Sequence, residues 1–151
     1  MKIRLFEFGK DLDPIIAIDV KSHEEYWTED DFKKRLKQKS ISCLVVEDEG
    51  AVIGFIVYEL FLHRFSLLRI GVAPLHRHKT IGSALLNELA GKLTDKRTLI
   101  SAEVRETNLP IQLFLKSQNY KAVEVLRNYY PDTEEDAFVF HYRSTEVKSS
   151  K

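Results

Sequence analysis

Two places in this 151-residue chain carry residue types and spacings that can do chemistry. The first is Ser66 to Leu89, SLLRIGVAPLHRHKTIGSALLNEL. Ser66 to Val72 is a short apolar run suited to a buried strand, and Pro74 closes it because proline cannot donate to a sheet ladder. Arg77, His78 and Lys79 form a basic cluster. From Ile81 the apolar residues recur at Leu85, Leu89 and Leu93, the stripe of one helix face. A strand therefore runs through a basic loop into a helix N-terminus, whose first amides lack internal partners and carry partial positive charge. Gly82 lets a ligand come close to the backbone. The stretch reads either as a seat for a phosphorylated ligand or as a solvated basic turn. The second place is the run Thr98 to Arg105, where Ile100, Ala102 and Val104 face one way and Ser101, Glu103 and Arg105 the other. Partial burial of Glu103 would raise its pKa toward a range useful for proton transfer. The plain alternative is a solvated glutamate paired with Arg105 or Arg127.

Composition bounds what these places can serve. Basic and acidic residues number 23 each, which argues against a general nucleic-acid or anionic-membrane binder. Neither G-x-x-x-x-G-K-S/T nor a G-x-G-x-x-G after a strand occurs, so the loop is not one of the two common phosphate loops. Cys43 is the one cysteine, which excludes a disulfide framework and a zinc spacing, and it lies in the apolar run Ile41 to Val46, where a buried hydrophobe is expected. No stretch is long and apolar enough to span a bilayer and no signal-peptide core opens the chain, so a reducing cytoplasm is the expected setting.

The elements that must position these residues follow in order. Lys2 to Phe8 reads as a strand, and Asp13-Pro14 as a helix start. Thr28 with Asp31 forms a second helix start, a capping threonine with an acid three residues on. Ile41 to Glu47 and Ala51 to Leu62 make a hairpin about Asp48-Glu49-Gly50. After the Ser66 strand and the long helix come the strand to Arg105, a helix from Asn108 to about Ser117, and a last hairpin, Ala122 to Tyr129 with Ala137 to Tyr142. The expected architecture is one mixed α/β domain over residues 1–143, about seven strands and four helices in the order β-α-α-β-β-β-α-β-α-β-β. Residues 144–151 read as a polar, frayed tail.

This order, with the residues of the central stretch, resembles the GNAT N-acetyltransferases. Their acetyl-coenzyme A loop reads Arg/Gln-x-x-Gly-x-Gly/Ala after V-x-P. Val72-Ala73-Pro74 fits, Arg77 and Gly82 fit the ends, and Thr80 replaces the middle glycine. Three further segments are similar to the RimI-type ribosomal-protein N-acetyltransferases. HEEYWTEDDF (23–32) resembles P-W-S/T-x-x-x-F with Tyr26 for proline; AEVRETN (102–108) resembles E-V-R-x-x-N; RNYYPDTEEDAFVF (127–140) resembles R-x-Y-Y, an acidic loop and E-D-A-x-x-M.

The resemblance implies acetyl transfer from acetyl-coenzyme A directly to an amine, with a protein N-terminal α-amine as the leading acceptor. It implies that main-chain N–H groups of Arg77, His78, Lys79, Thr80, Ile81, Gly82 and Ser83 hold the coenzyme's pyrophosphate. Val72 would pair with the pantetheine arm through its backbone, and Asn108 would contact that arm besides capping its helix. Glu103 falls where the family has its proposed general base. Tyr26, Trp27, Tyr129 and Tyr130 fall where these enzymes flank a peptide N-terminus. The family's proposed general acid is a tyrosine seven residues after the asparagine; here that residue is Leu115, beside Phe114, and neither has a proton to give. Tyr120, Tyr129 or Tyr130 could substitute. Rival readings are a lysine or small-amine acetyltransferase, a non-catalytic coenzyme A-binding domain, and an interaction module that binds no coenzyme.

Overall fold

The computed structural model describes residues 1–77 and 80–144. His78 and Lys79, expected in the coenzyme loop, and the tail from 145 lie outside the described residues. Seven strands form one sheet, β1 (Lys2–Leu5), β2 (Ile41–Asp48), β3 (Ala51–Leu60), β4 (Arg64–Val72), β5 (Leu99–Arg105), β6 (Lys121–Tyr130) and β7 (Glu135–Arg143), in the order β1-β2-β3-β4-β5-β7-β6. The helices are α1 (Phe8–Ser22), α2 (Glu29–Leu36), α3 (Ile81–Ala90) and α4 (Leu109–Ser117). The element order and the helix and strand numbers are those expected from the sequence. No helix among the described residues is long and apolar enough to cross a membrane. The chain divides into two compact units, Met1–Leu60 with Leu68–Gly91, and Phe61–Leu67 with Lys92–Lys151.

In the first unit, β1, β2 and β3 pair antiparallel, and the hairpin turns through Glu49 and Gly50 at φ of 51° and 81°. Ile15, Ile18, Phe32, Cys43, Val45, Phe55 and Val57 pack as its core. The Cys43 thiol is buried and pushed up by desolvation, which agrees with a packing role. Several expected boundaries move, and β3 ends at Leu60 rather than Leu62. The first strand ends at Leu5 rather than Phe8, and α1 begins at Phe8, so Pro14 lies inside the helix rather than at its start. The cause is Asp11, not Asp13: its carboxylate accepts the Glu7 N–H at 2.8 Å and the Arg4 guanidinium at 2.7 and 2.9 Å. That anchoring starts the helix early and offsets the bond that Pro14 forfeits. The α2 capping box forms as read: Thr28 Oγ1 accepts from Asp31 N at 3.1 Å, and Asp31 accepts from Thr28 N at 2.9 Å. Helix α3 stops at Ala90, so Leu93 falls outside its stripe.

The second unit begins with the start of β4, which pairs parallel with β5 from Arg64↔Leu99 to Leu67↔Ala102. β7 lies between β5 and β6, antiparallel to both. Helix α4 is capped by Asn108, whose Oδ1 accepts from Ile111 N at 3.4 Å. It ends at Asn119, φ 71°, where Tyr120 N donates to Leu115 O at 3.0 Å and Asn119 N to Lys116 O at 3.1 Å. That is a Schellman end with asparagine in the left-handed position, as the sequence suggests.

Two stability measurements test this packing. A Cβ on Gly71 would lie 2.7 Å from Phe55 Cε1 and 3.1 Å from Ile18 Cγ2, both in the core. Gly71→Ala should therefore cost about 1–3 kcal/mol in denaturant unfolding at unchanged m-value. Arg4 holds the fully buried Asp11 carboxyl below the usual carboxylate range. A depressed folded-state pKa contributes stability in full above the unfolded value, about pH 4, and loses it as pH falls further. Arg4→Met should cost about 3–5 kcal/mol at neutral pH and flatten that acid limb in pH-dependent unfolding.

Candidate functional site

The loop after β4 is held from behind. Ala73 N donates to Ile53 O at 2.8 Å, and Pro74–His76 form one 3-10 turn. The Arg77 side chain turns back into its own unit: Nε donates to Val72 O at 3.0 Å, and Nη2 to Lys21 O and Ser22 Oγ, both at 2.9 Å. As a side chain, Arg77 ties the loop to the C-terminus of α1, so the basic cluster read from the sequence contributes one cation fewer to an incoming anion. Its hold on Val72 O also engages one of the two lone pairs of that carbonyl.

Thr80 precedes α3 with φ −79° and ψ 21°, and its carbonyl takes the first helical bond, from Ala84 N at 2.9 Å. Because this φ is negative, the Cβ of Thr80 meets none of the difficulty that a glycine-only geometry would impose. Among the described residues, the N–H groups of Ile81, Gly82 and Ser83 have no hydrogen-bond acceptor, as expected for a first helical turn. Buried Ile81, Leu85, Leu86 and Leu89 fix the helix that carries them. Gly54 makes room for it: a Cβ there would stand 3.0 Å from Ile81 Cγ2. These donors, on a rigid apolar base, fit the diphosphate of an acyl-coenzyme A.

The segment between α1 and α2 is organised by Asp19, which is fully buried. Its carboxylate accepts Trp27 N at 2.8 Å and Arg69 at 2.7 and 3.2 Å. Arg69 also donates to Glu25 O at 2.8 Å. The Trp27 ring has the Arg35 and Arg69 guanidinium carbons each 5.1 Å from its centroid and meets Phe32 edge-on at 5.0 Å. His23 donates Nε2–H to Ile70 O at 2.9 Å, and burial lowers its pKa. Trp27 is thus packed into its own unit, whereas Tyr26 beside it is 50% exposed. Asp19, Arg69 and His23 were not singled out from the sequence; an acid and a histidine four apart on an apolar helix were the available signal.

In the second unit β5 alternates as read, with Ile100, Ala102 and Val104 buried. Glu103, however, is exposed rather than partly buried. Neither arginine of the plain reading takes it. Arg105 bonds Asp132 at 3.2 Å and Thr133 at 3.1 Å and lies 4.0 Å over the Tyr130 ring; Arg127 pairs with Asp136 at 3.1 Å. Glu103 Oε1 instead accepts the Tyr129 hydroxyl at 2.6 Å. That bond, first, and then desolvation push the Tyr129 phenol up to about 12.

A bulge aims Tyr129. The β6–β7 register shifts between Leu126 and Tyr130, and Asn128 takes φ 49°. Asp136 fixes the bulge by accepting Asn128 N at 2.9 Å and Arg127 Nη1 at 3.1 Å. Its own N–H donates to Glu106 Oε1 at 2.8 Å. Of the other tyrosines considered as proton donors, Tyr120 is buried with its hydroxyl unpartnered among the described residues, and Tyr130 is half-buried beneath Arg105. Leu115 is fully buried in the core.

Known proteins place this architecture. Residues 11–120 match the acetyltransferase (GNAT) family. An N-alpha-acetyltransferase from Sulfolobus acidocaldarius is 32% identical over 143 residues, covering 85% of this chain and 84% of that protein. The ribosomal protein bS18-alanine N-acetyltransferase of Escherichia coli K12 is 27% identical over 133 residues, covering 85% and 88%. The crystal structure of the Escherichia coli ribosomal-protein-S18-alanine N-acetyltransferase shares the fold at TM-score 0.82 and 23% identity, over 99% of this chain and 97% of that one. With nearly three-quarters of its length inside the family match, the chain belongs to the GNAT family of acetyltransferases.

Proposed function

We propose that this acetyltransferase moves acetyl from acetyl-coenzyme A to the α-amine of a protein N-terminus, with Glu103 as the base. The observation that carries the reading is the Glu103 carboxylate, presented to solvent on a strand whose other face is core and held by one phenol. The relatives named for Nα- and ribosomal-protein alanine acetylation support the acceptor class.

The chain's residues divide the work. The Arg77 N–H, expected among the pyrophosphate donors, is instead given to Pro74 O at 3.4 Å, closing the 3-10 turn. The donor's pyrophosphate is left to the main-chain N–H groups that follow it up to Ser83, a role in which Thr80 and the first turn of α3 need only their N–H groups. The Val72 main chain pairs with the pantetheine arm as an added strand would. Asn108 keeps its side-chain N–H₂ for the same arm while its Oδ1 caps α4. An ammonium cannot attack a carbonyl, so the amine reacts in its neutral form, its ammonium proton lost to solvent, and Glu103 takes the surplus nitrogen proton as the N–C bond forms, directly or through one water. Tyr26 and Trp27 of the first unit and Tyr129 and Tyr130 of the second are assigned to the acceptor peptide by the family resemblance, and the acids of the β6–β7 turn suit its positive charge. A reducing cytoplasm suits a chain whose single thiol serves packing.

Two measurements test the reading. Glu103→Gln should lower kcat on an N-terminal peptide by about two to four orders of magnitude with little change in acetyl-coenzyme A affinity; a loss confined to affinity would remove the base. Gly82→Val should weaken acetyl-coenzyme A binding in a thermal-shift titration by roughly tenfold or more, about 1.4 kcal/mol, without unfolding the chain. Unchanged affinity would move the donor seat elsewhere.

A further inference from the structure

Transfer of acetyl from a thioester to an amine releases one proton at nitrogen and requires one at sulfur. Accepting Glu103 as the base, on which this step rests, the nitrogen proton is accounted for and the sulfur proton is not. Helix α4 offers none from Phe114 or Leu115. In the second unit, the Tyr120 hydroxyl is buried and the Tyr130 ring is covered by Arg105, while Tyr129 is 44% exposed and its hydroxyl already touches the base.

We propose that Tyr129 and Glu103 act as one proton relay, in which Tyr129 protonates the leaving thiolate and Glu103 returns the proton to Tyr129. The amine lone pair forms the N–C bond and its surplus proton passes to Glu103. The C–S bond breaks with its electron pair going to sulfur, which takes the Tyr129 proton. The resulting phenolate recovers a proton from the Glu103 carboxyl across the same hydrogen bond. Amide and free thiol leave, and both side chains return to their starting states.

The pair also times itself. While Glu103 is a carboxylate, its hydrogen bond keeps the Tyr129 phenol at about 12, too weak an acid to lose a proton idly. Once Glu103 accepts the amine's proton, that hold disappears and the phenol falls toward its ordinary value of 10.0. Tyr129 thus becomes an acid only after the base has worked. The bulge at Leu126–Tyr130 and the Asp136 clasp keep its hydroxyl on Glu103 rather than free in solvent.

The experiment compares wild type, Tyr129→Phe and Glu103→Gln with acetyl-coenzyme A and with its seleno analogue, whose selenolate departs without a proton. Tyr129→Phe should lower kcat roughly ten- to a thousandfold with the thioester and stay near wild type with the selenoester. Glu103→Gln should lose turnover on both donors, since the amine must still be deprotonated. In the unliganded protein, an NMR titration of the Tyr129 phenol should begin at lower pH in Glu103→Gln than in wild type. Equal losses of Tyr129→Phe on both donors would make Tyr129 an acceptor contact only and overturn the relay. No loss at all, or a phenol titration unmoved in Glu103→Gln, would overturn it too. Full activity of Glu103→Gln would instead defeat the base assignment, and the relay with it.

Discussion

A carboxylate with no exposure, Asp19, governs the first unit's working end. An ionised group removed from water is tolerated only when its lone pairs are engaged, and here Arg69 and the Trp27 N–H engage them. Each partner is thereby fixed. Arg69 lies on β4 and Trp27 on the α1–α2 segment, so one charge joins α1, the strand that leads into the donor loop, and the segment that carries Tyr26. Arg77 repeats the device one turn along, reaching the Lys21 carbonyl and Ser22 at the end of the same helix. The end of β4 and Arg77 just after it are therefore braced against α1 at two points, and groups fixed in advance lose less entropy on binding.

Asp136 is the counterpart in the second unit, on different terms. It is reached by an exposed arginine and by backbone, and such contacts contribute little stability on their own. Their value is geometric. They hold a non-glycine residue at positive φ and let the chain insert the residues that turn Tyr129 onto Glu103. Arg105 does the same for the neighbouring turn, bonding Asp132 and Thr133 while covering Tyr130.

What the sequence made legible was whatever local spacing decides. The Thr28–Asp31 box, the Asn119 turn and the alternation of β5 depend on residues within a few positions of one another, and all three formed. So did the element order, because each element's apolar period is local. The start of α1 was misplaced because two aspartates precede or flank Pro14, and only contact with Arg4 shows which one anchors the helix. Arg77 read as a free cation because its partners lie 55 and 56 residues away. Glu103 read as half-buried because strand alternation tells which face a residue takes, not what covers that face. Its partner Tyr129 was visible as a residue but not as a contact, since the bulge that brings it there leaves no periodic signature.

The exposure of Glu103 bears on which amine can be served. A base that works in contact with water must find its substrate neutral often enough to matter. An α-amine titrates at about 7.7–8.0 and a lysine at about 10.4. At neutral pH the neutral fraction of an N-terminus therefore exceeds that of a lysine by roughly 300-fold, about 3.4 kcal/mol of deprotonation that the base need not supply. In the proposed role, a carboxylate on an open strand, hydrogen-bonded to a phenol, suits the weaker of the two demands. The same openness leaves room for a protein chain to arrive end-first, whereas a small amine would ordinarily be enclosed to exclude water. With Glu103 as the proposed base, the exposure of that one side chain therefore favours the α-amine.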